Sequence, residues 1–265
     1  MYKTAVAVAV TAMLGYSIIS QSNPLAAVQQ FTEAAFYSGF HCQPAPYTMR
    51  ILMLDPLIIH LENFITPEER RHLLEISAPT LERSKVAAKN GSEIFSTYRT
   101  SLSTYIDRED AAARCIYDRV SEFQGYEPVD NVESIQVTAY AKGQQFRNHF
   151  DWYGSDANVT KDRITTFFGI LEADCDNCGT HFPDISANWT GLDERWCRIV
   201  DCDAEALTVL PLPGSALFWR NLHMDNTGDR RTRHAGLPLS RGTKTGLNIW
   251  TLREIESHSL VADQQ

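Results

Sequence analysis

At 265 residues, with 43% apolar and 22% charged residues, the chain can bury a large core and shows no long stretch of disorder-type composition. Its formal charge of −9 argues against a partner held through a phosphate backbone, and it has no Gly-rich phosphate loop, so nucleic acid is not an expected partner. The length is generous for one domain but within reach of barrel and sandwich folds.

Near the start, Lys3 precedes an uncharged, mostly apolar run from Thr4 to Ser20. The run is longer than a usual signal-peptide core and lies at the short limit for a membrane-spanning helix. Ser20 and Ser22 offer a cleavage site ahead of Asn23, so residues 1–22 read as a secretory signal, either removed or kept as a membrane anchor. Residues 23–54 read as a stalk or linker, mildly helical from Leu25 to Phe40. Cysteine usage agrees with secretion: Cys42, Cys115, Cys175, Cys178, Cys197 and Cys202 make an even set. So do the glycosylation sequons Asn90-Gly-Ser, Asn158-Val-Thr and Asn188-Trp-Thr, which makes the endoplasmic reticulum lumen the expected compartment. Cys175-Asp-Asn-Cys178 followed by Cys197 and Cys202 could also form a zinc knuckle. No His stands at finger spacing, and in an oxidising compartment disulfides are the better reading, with their pairing left open.

Leu57 to Phe64 reads as a strand. Thr66-Pro-Glu-Glu69 then starts a helix: Thr66 caps it, Pro67 takes the first helical position and Glu69 completes a capping box. That helix runs to about Ser77, with Leu73 and Leu74 on its apolar face. Tyr98–Ile106 is strand-like, and Asp107–Phe123 is the clearest helix, with Ala111, Cys115, Ile116 and Val120 at helical spacing. From Val132 onward the texture changes to short β-prone runs: Ile135–Tyr140, Thr165–Leu171, Leu207–Leu210, Ser215–Trp219, His234–Leu239 and Gly246–Thr251. Such a series suggests a sandwich or barrel. The Cys-rich stretch Asp174–Asp203 reads as an insertion loop between strands. Residues 55–254 therefore form one folded unit of α+β class, helices ahead of a β-barrel, with 255–265 as a tail.

The chemistry concentrates in Tyr140-Ala-Lys-Gly-Gln-Gln-Phe-Arg-Asn-His149-Phe-Asp151. Side chains two apart in an extended segment share a face, so His149 and Asp151 can converge on one point. An imidazole and a carboxylate so placed are two of the three ligands of a facial-triad iron(II) site. Alone, the pair is a weak signal in a chain with eight His. Far downstream, His234 opens the penultimate β-prone run, and ten residues later Lys244 stands before the last one. The segment Gly242-Thr-Lys-Thr-Gly246 also reads as a turn, which would make Lys244 an ordinary surface lysine.

From Leu57 to Thr251 the chain resembles the prolyl 4-hydroxylase family of iron(II)- and 2-oxoglutarate-dependent dioxygenases. The resemblance is an ordered series: Tyr140, His149-x-Asp151, Arg163-x-x-Thr166, Gly179-Thr180-x-Phe182-Pro183, Pro213-Gly214-x-Ala216-x-Phe218-Trp219, His234-Ala-Gly, Gly242-x-Lys244 and Trp250. It implies a double-stranded β-helix (jelly-roll) core with supporting N-terminal helices. It further implies that His149, Asp151 and His234 bind iron(II), and that Lys244 pairs with the far carboxylate of 2-oxoglutarate beside Tyr140 and Thr180. Burial of a lysine in a barrel is costly unless an anion meets it, and Tyr and Thr hydroxyls suit a desolvated carboxylate. Dioxygen would be the second cosubstrate and ascorbate the implied reductant. The reaction would hydroxylate an unactivated C–H bond while 2-oxoglutarate becomes succinate and carbon dioxide.

Some positions depart from that pattern. Cys178 stands where the family often has the first Gly of Gly-Gly-Thr, and Cys178, Trp196-Cys197 and Asp201-Cys202 resemble fungal members with a disulfide-stapled insertion. Relatives acting on peptidyl proline tend to end in Trp-x-His, whereas this chain has Trp250-Thr-Leu252. Arg99-Thr-Ser101 and Arg163 match positions near the substrate groove, where Arg is as often structural. The resemblance therefore leaves three readings: a peptidyl-proline hydroxylase, the same chemistry on a small molecule, or a non-catalytic subunit that keeps the fold.

Overall fold

The structure, a computed structural model, describes residues 40–87, 93–153, 160–189 and 191–254. The leader, most of the stalk, the C-terminal tail and the sequons at Asn90 and Asn158 lie outside the described residues; Asn188 is exposed. Among the described residues no helix is long and apolar enough to cross a membrane.

Two antiparallel strands open the described chain, β1 (Thr48–Leu54) and β2 (Leu57–Glu62). Sequence reasoning placed Thr48–Leu54 in the stalk. It is instead the edge strand of the main sheet, and Cys42 just ahead of it is disulfide-bonded to Cys115. An apolar edge strand alternating at Met49 and Ile51 was hidden by its short length and by the Pro-rich segment before it. Helix α1 (Pro67–Ser77) begins as expected, with Thr66 Oγ1 accepting from Glu69 N and Glu69 Oε2 accepting from Thr66 N. Short strands β3 (Glu82–Arg83), β4 (Val86–Ala87) and β5 (Glu93–Ile94) lead to β6 (Leu102–Tyr105). Helix α2 covers Ala111–Phe123 rather than starting at Asp107, because the Asp110 carboxylate caps it by accepting from the N–H groups of Ala112 and Ala113.

The remaining strands are β7 (Gln136–Ala141), β8 (Phe146–His149), β9 (Lys161–Asp176), β10 (Thr180–Ser186), β11 (Ala206–Val209), β12 (Ala216–Arg220), β13 (His234–Gly236) and β14 (Arg241–Glu254). They form an eight-stranded sheet in the order β1-β2-β12-β9-β14-β7-β6-β3 and a four-stranded sheet in the order β11-β10-β13-β8. The expected insertion loop Asp174–Asp203 is therefore only partly a loop: it holds the end of β9 and all of β10. Phe182 and Ile185 on β10 face the core between the sheets, a pattern masked in sequence by the polar residues alternating with them.

Alternation along the strands divides most of the interior into two large cores. On β2 and β12, Ile59, Leu61, Ala216 and Phe218 face α1 and α2, where they meet Leu73, Ile116, Tyr117 and Val120. Their neighbours Ile58, Leu217 and Trp219 face the small sheet, packing with Phe182, Leu207 and Val209. The two helices are locked together by a buried ion pair. Arg119 on α2 donates to both oxygens of the Glu69 carboxylate and to Phe64 O, and Glu69 is fully buried. The capping residue of α1 is thus also the anchor for α2. Since loss of one partner strands a buried charge, Arg119→Ala is expected to cost about 3 kcal/mol of stability, read by urea denaturation with disulfides intact.

Candidate active site

Strand β8 ends at His149 and β13 begins at His234, and the two residues pair directly across the small sheet. Their rings lie 4.2 Å apart, centroid to centroid. Asp151 follows β8 by two residues and turns back to both: Oδ1 is 3.6 Å from His149 Nε2, and Oδ2 is 3.8 Å from His234 Nε2. One donor atom from each of the three side chains falls within 4.8 Å of the other two. Two imidazole nitrogens and one carboxylate oxygen converging this closely fit the two-His, one-carboxylate set that holds iron(II) with positions left open.

The surroundings fix both tautomer and charge. Nδ1 of His149 bonds Arg147 O at 2.8 Å and Nδ1 of His234 bonds Thr232 O at 2.9 Å. A carbonyl partner requires a proton on Nδ1, which leaves both Nε2 lone pairs free for a metal. Burial, reinforced by the neighbouring His234, pushes the His149 pKa down to about 3, so the ring is neutral at physiological pH. Burial alone would raise the Asp151 pKa, but His234, His149, Arg163 and the Thr166 hydroxyl together hold it below the usual carboxylate range. Neutral imidazole and ionised carboxylate are the states that ligation requires.

A second tier orients the carboxylate. Thr166 Oγ1 on β9 donates to Asp151 Oδ2 at 2.7 Å, and Asn221 Nδ2, just after β12, donates to Thr166 Oγ1 at 2.8 Å. Both residues are fully buried. Asn221 was not singled out from sequence, and a lone Asn after an apolar strand carries no signal that could have found it. Arg163 is held bidentate by Glu133 at 2.6 and 2.8 Å and stacks 3.8 Å over Trp250. Burial opposes its charge, but the Glu133 carboxylate outweighs it and raises the pKa above the ordinary value. Arg99 is also buried, bonded to Gln136 and lying 4.9 Å over the Phe146 ring, with no carboxylate in ion-pair contact among the described residues.

Lys244 is not a turn residue. It sits inside β14, paired with Tyr140 of β7, and is 1% exposed. Its Nζ donates to Cys178 O at 2.5 Å and lies 5.2 Å over the Tyr140 ring; no carboxylate reaches it among the described residues. Burial depresses its pKa to about 8. Thr180 opens β10 and is buried, paired with Gly236 of β13. A Cβ at Gly236 would lie 4.0 Å from the Tyr140 hydroxyl, so that hydroxyl sits two residues along β13 from His234. Phe146 joins the two ends: it packs on the cluster of Tyr140, Cys178 and Leu239 and stacks on the His149 ring at 3.5 Å. The fold thus places the six sequence-derived residues as the His149–Asp151–His234 triad, a buried Lys244 beside Tyr140, and Thr180 at the start of β10, linked through β8 and β13.

These features fit a 2-oxoglutarate- and iron(II)-dependent oxygenase, and comparison with known proteins shows that class. The family model described as "2OG-Fe(II) oxygenase superfamily" matches residues 135–252. "Probable prolyl 4-hydroxylase 8" of Arabidopsis thaliana is 32% identical over 207 residues, 76% of this chain and 70% of that protein. "Prolyl 4-hydroxylase 5" of the same plant is 31% identical over 206 residues, again 76% and 70%. The crystal structure of a viral collagen prolyl hydroxylase from Paramecium bursaria Chlorella virus-1, as a 2-oxoglutarate complex, superposes with a TM-score of 0.56 at 20% identity. It covers 75% of this chain and 96% of that one, and supports the jelly-roll fold. The chain belongs to the prolyl 4-hydroxylase family.

Thr166→Val removes the hydroxyl that orients Asp151 while keeping the side chain's shape. It is expected to weaken metal binding by about 10- to 100-fold. Calorimetric titration with manganese(II) checks this, and unchanged affinity would mean that the carboxylate is oriented by other contacts.

Proposed function

We propose that this enzyme 4-hydroxylates proline in a secreted peptide or protein. The observation that carries the reading is the junction of the His149–Asp151–His234 triad with a buried, carboxylate-free lysine, in a chain related to prolyl 4-hydroxylases. In this reading His149, Asp151 and His234 hold iron(II) through Nε2, a carboxylate oxygen and Nε2. Lys244 meets the far carboxylate of 2-oxoglutarate, with the Tyr140 and Thr180 hydroxyls completing its hydrogen bonds. When bound, the metal and cosubstrate supply the oxidising power, 2-oxoglutarate leaving as succinate and carbon dioxide. The protein's own part is to hold both rings by their Nδ1–carbonyl contacts so that Nε2 faces the metal, to keep Asp151 ionised and aimed by Thr166, and to pack Phe146, Phe182 and Trp219 around the rings against water. Ascorbate is the proposed reductant.

Three disulfides, Cys42–Cys115, Cys175–Cys178 and Cys197–Cys202, leave no free cysteine among the described residues and agree with an oxidising compartment. This supports folding in the endoplasmic reticulum lumen, with residues 1–22 as a signal or membrane anchor and Asn188 as an exposed glycan acceptor. The fungal-type likeness drawn from the Cys-rich segment has no counterpart in the relatives described above, which are plant and viral. A second reading, hydroxylation of a small molecule, is favoured by one position. Leu252, paired with Arg163, stands where a substrate-side His was expected, and its own side chain cannot hydrogen-bond a peptide.

The test is succinate formation from 2-oxoglutarate with iron(II) and ascorbate, with and without a proline-rich peptide. Peptide-stimulated succinate with matching hydroxyproline is expected; succinate insensitive to peptide would favour the small-molecule reading. His149→Ala or His234→Ala should abolish turnover and metal binding while leaving the circular dichroism spectrum unchanged. Lys244→Ala should mainly raise the KM for 2-oxoglutarate. Because the lysine charge is present below a pKa of about 8 and lost above it, cosubstrate affinity should fall as pH rises through that value. A flat profile from pH 7 to 9 would contradict the pairing.

A further inference from the structure

The turn between β9 and β10 carries the chain from the large sheet to the small one, and one disulfide spans it, from Cys175 near the end of β9 to Cys178 just ahead of β10. Cys175 pairs with Gly242 in the β9–β14 ladder. Cys178 is 3% exposed, packed against Tyr140 and Leu239, and two residues ahead of Thr180. Between them Asn177 adopts φ 53°, a left-handed conformation that a tight reversal needs. The bridge spans a sequence separation of only 3, against 73 for Cys42–Cys115. A loop that short takes little entropy from the unfolded chain, so the effect of the bond is local.

What the bond holds is the Cys178 carbonyl. That oxygen accepts from Lys244 Nζ at 2.5 Å, the one hydrogen bond to this ammonium among the described residues. An ammonium has three donors, and a carbonyl fixed on one side leaves two N–H bonds of Lys244, which lies beside the Tyr140 ring, for a cosubstrate carboxylate. The cysteine on the β9 side is anchored independently. A Cβ at Gly242 would fall 1.7 Å from Asp174 O, so only glycine permits this close strand approach, and Arg241 pairs with Asp174 and Asp176 across the same ladder. The disulfide transmits that anchorage across the turn to Cys178.

We propose that the Cys175–Cys178 disulfide is a positioning element for cosubstrate binding, holding the Cys178 carbonyl against Lys244 and thereby setting affinity for 2-oxoglutarate. The inference rests on the reading of Lys244 as the partner of the cosubstrate carboxylate. Reduction by a dithiol, in which the S–S bond takes up two electrons and two protons while the reductant becomes a disulfide, releases the carbonyl, and affinity falls with it.

The experiment is calorimetric titration of manganese(II)-loaded protein with 2-oxoglutarate. Wild type, Cys175→Ala, Cys175→Ala/Cys178→Ala and Lys244→Ala are compared with wild type treated with a dithiol, its freed cysteines mapped by alkylation and mass spectrometry. Both cysteine variants and the reduced wild type are expected to bind about tenfold more weakly, in keeping with loss of one hydrogen bond to a charged group. The KM for a proline-rich peptide should stay unchanged, and the reductant should have no further effect on the double variant. Full affinity in Cys175→Ala alongside weak binding by Lys244→Ala would overturn the role of the disulfide and leave the lysine reading intact. Full affinity in Lys244→Ala would remove both. If a cysteine variant does not fold, the reduced wild type decides: affinity that does not fall as Cys175 and Cys178 become alkylated sinks the proposal.

Discussion

The long antiparallel ladder between β9 and β14 is the constraint on which the site depends. It runs from Arg241 opposite Asp176 to Glu254 opposite Lys161 and crosses the middle of the large sheet. One strand supplies Thr166 and Arg163 and continues through the Cys175–Cys178 turn into Thr180; the other supplies Lys244 and Trp250. Because side chains alternate, a slip of one residue would turn Lys244 to the opposite face of the sheet and Thr166 away from Asp151. Bulges between Thr245 and Gly246 and between Thr251 and Leu252 set the register locally.

The second organising factor is where charge is buried and what meets it. Glu69 and Arg119 neutralise each other between the helices, and Arg163 is met by Glu133 beside Trp250. At the triad, two rings face one carboxylate whose hydroxyl partner comes from β9 of the other sheet. Lys244 differs, having carbonyl and aromatic neighbours in place of an acidic one. Arg99 likewise has no carboxylate partner among the described residues, so these two buried cations stay without a counter-ion, which is costly.

The small sheet is the thinner part of the scaffold, with β13 only three residues long, yet it carries both histidines. Its precision comes from packing on both faces of the ligands. Phe146 stacks on His149, while Phe182 and Trp219 flank His234 at 5.6 and 4.7 Å. Rings held in this way cannot swing out of the ligand geometry without opening the core between the sheets.

Local chemistry was legible from residue order alone. The capping box at Thr66 and Glu69, the apolar stripe of α2, the His149-x-Asp151 pair and the series of short strands are all encoded within a few neighbouring residues, where helix and strand periodicity act directly. The ordered motif resemblance extended this to His234 and Lys244 and so to the class of chemistry. Tertiary structure alone decided the rest. The Cys42–Cys115 bridge, the edge role of Thr48–Leu54, the β10 strand inside a Cys-rich stretch and the Asn221–Thr166–Asp151 relay join residues well separated in the chain. Whether Lys244 was a surface turn or a buried cation turned on the same long-range pairing. Gly242-Thr-Lys-Thr-Gly246 has the composition of a turn, and only β7 and β9 on either side hold it as a central strand and close it off from water.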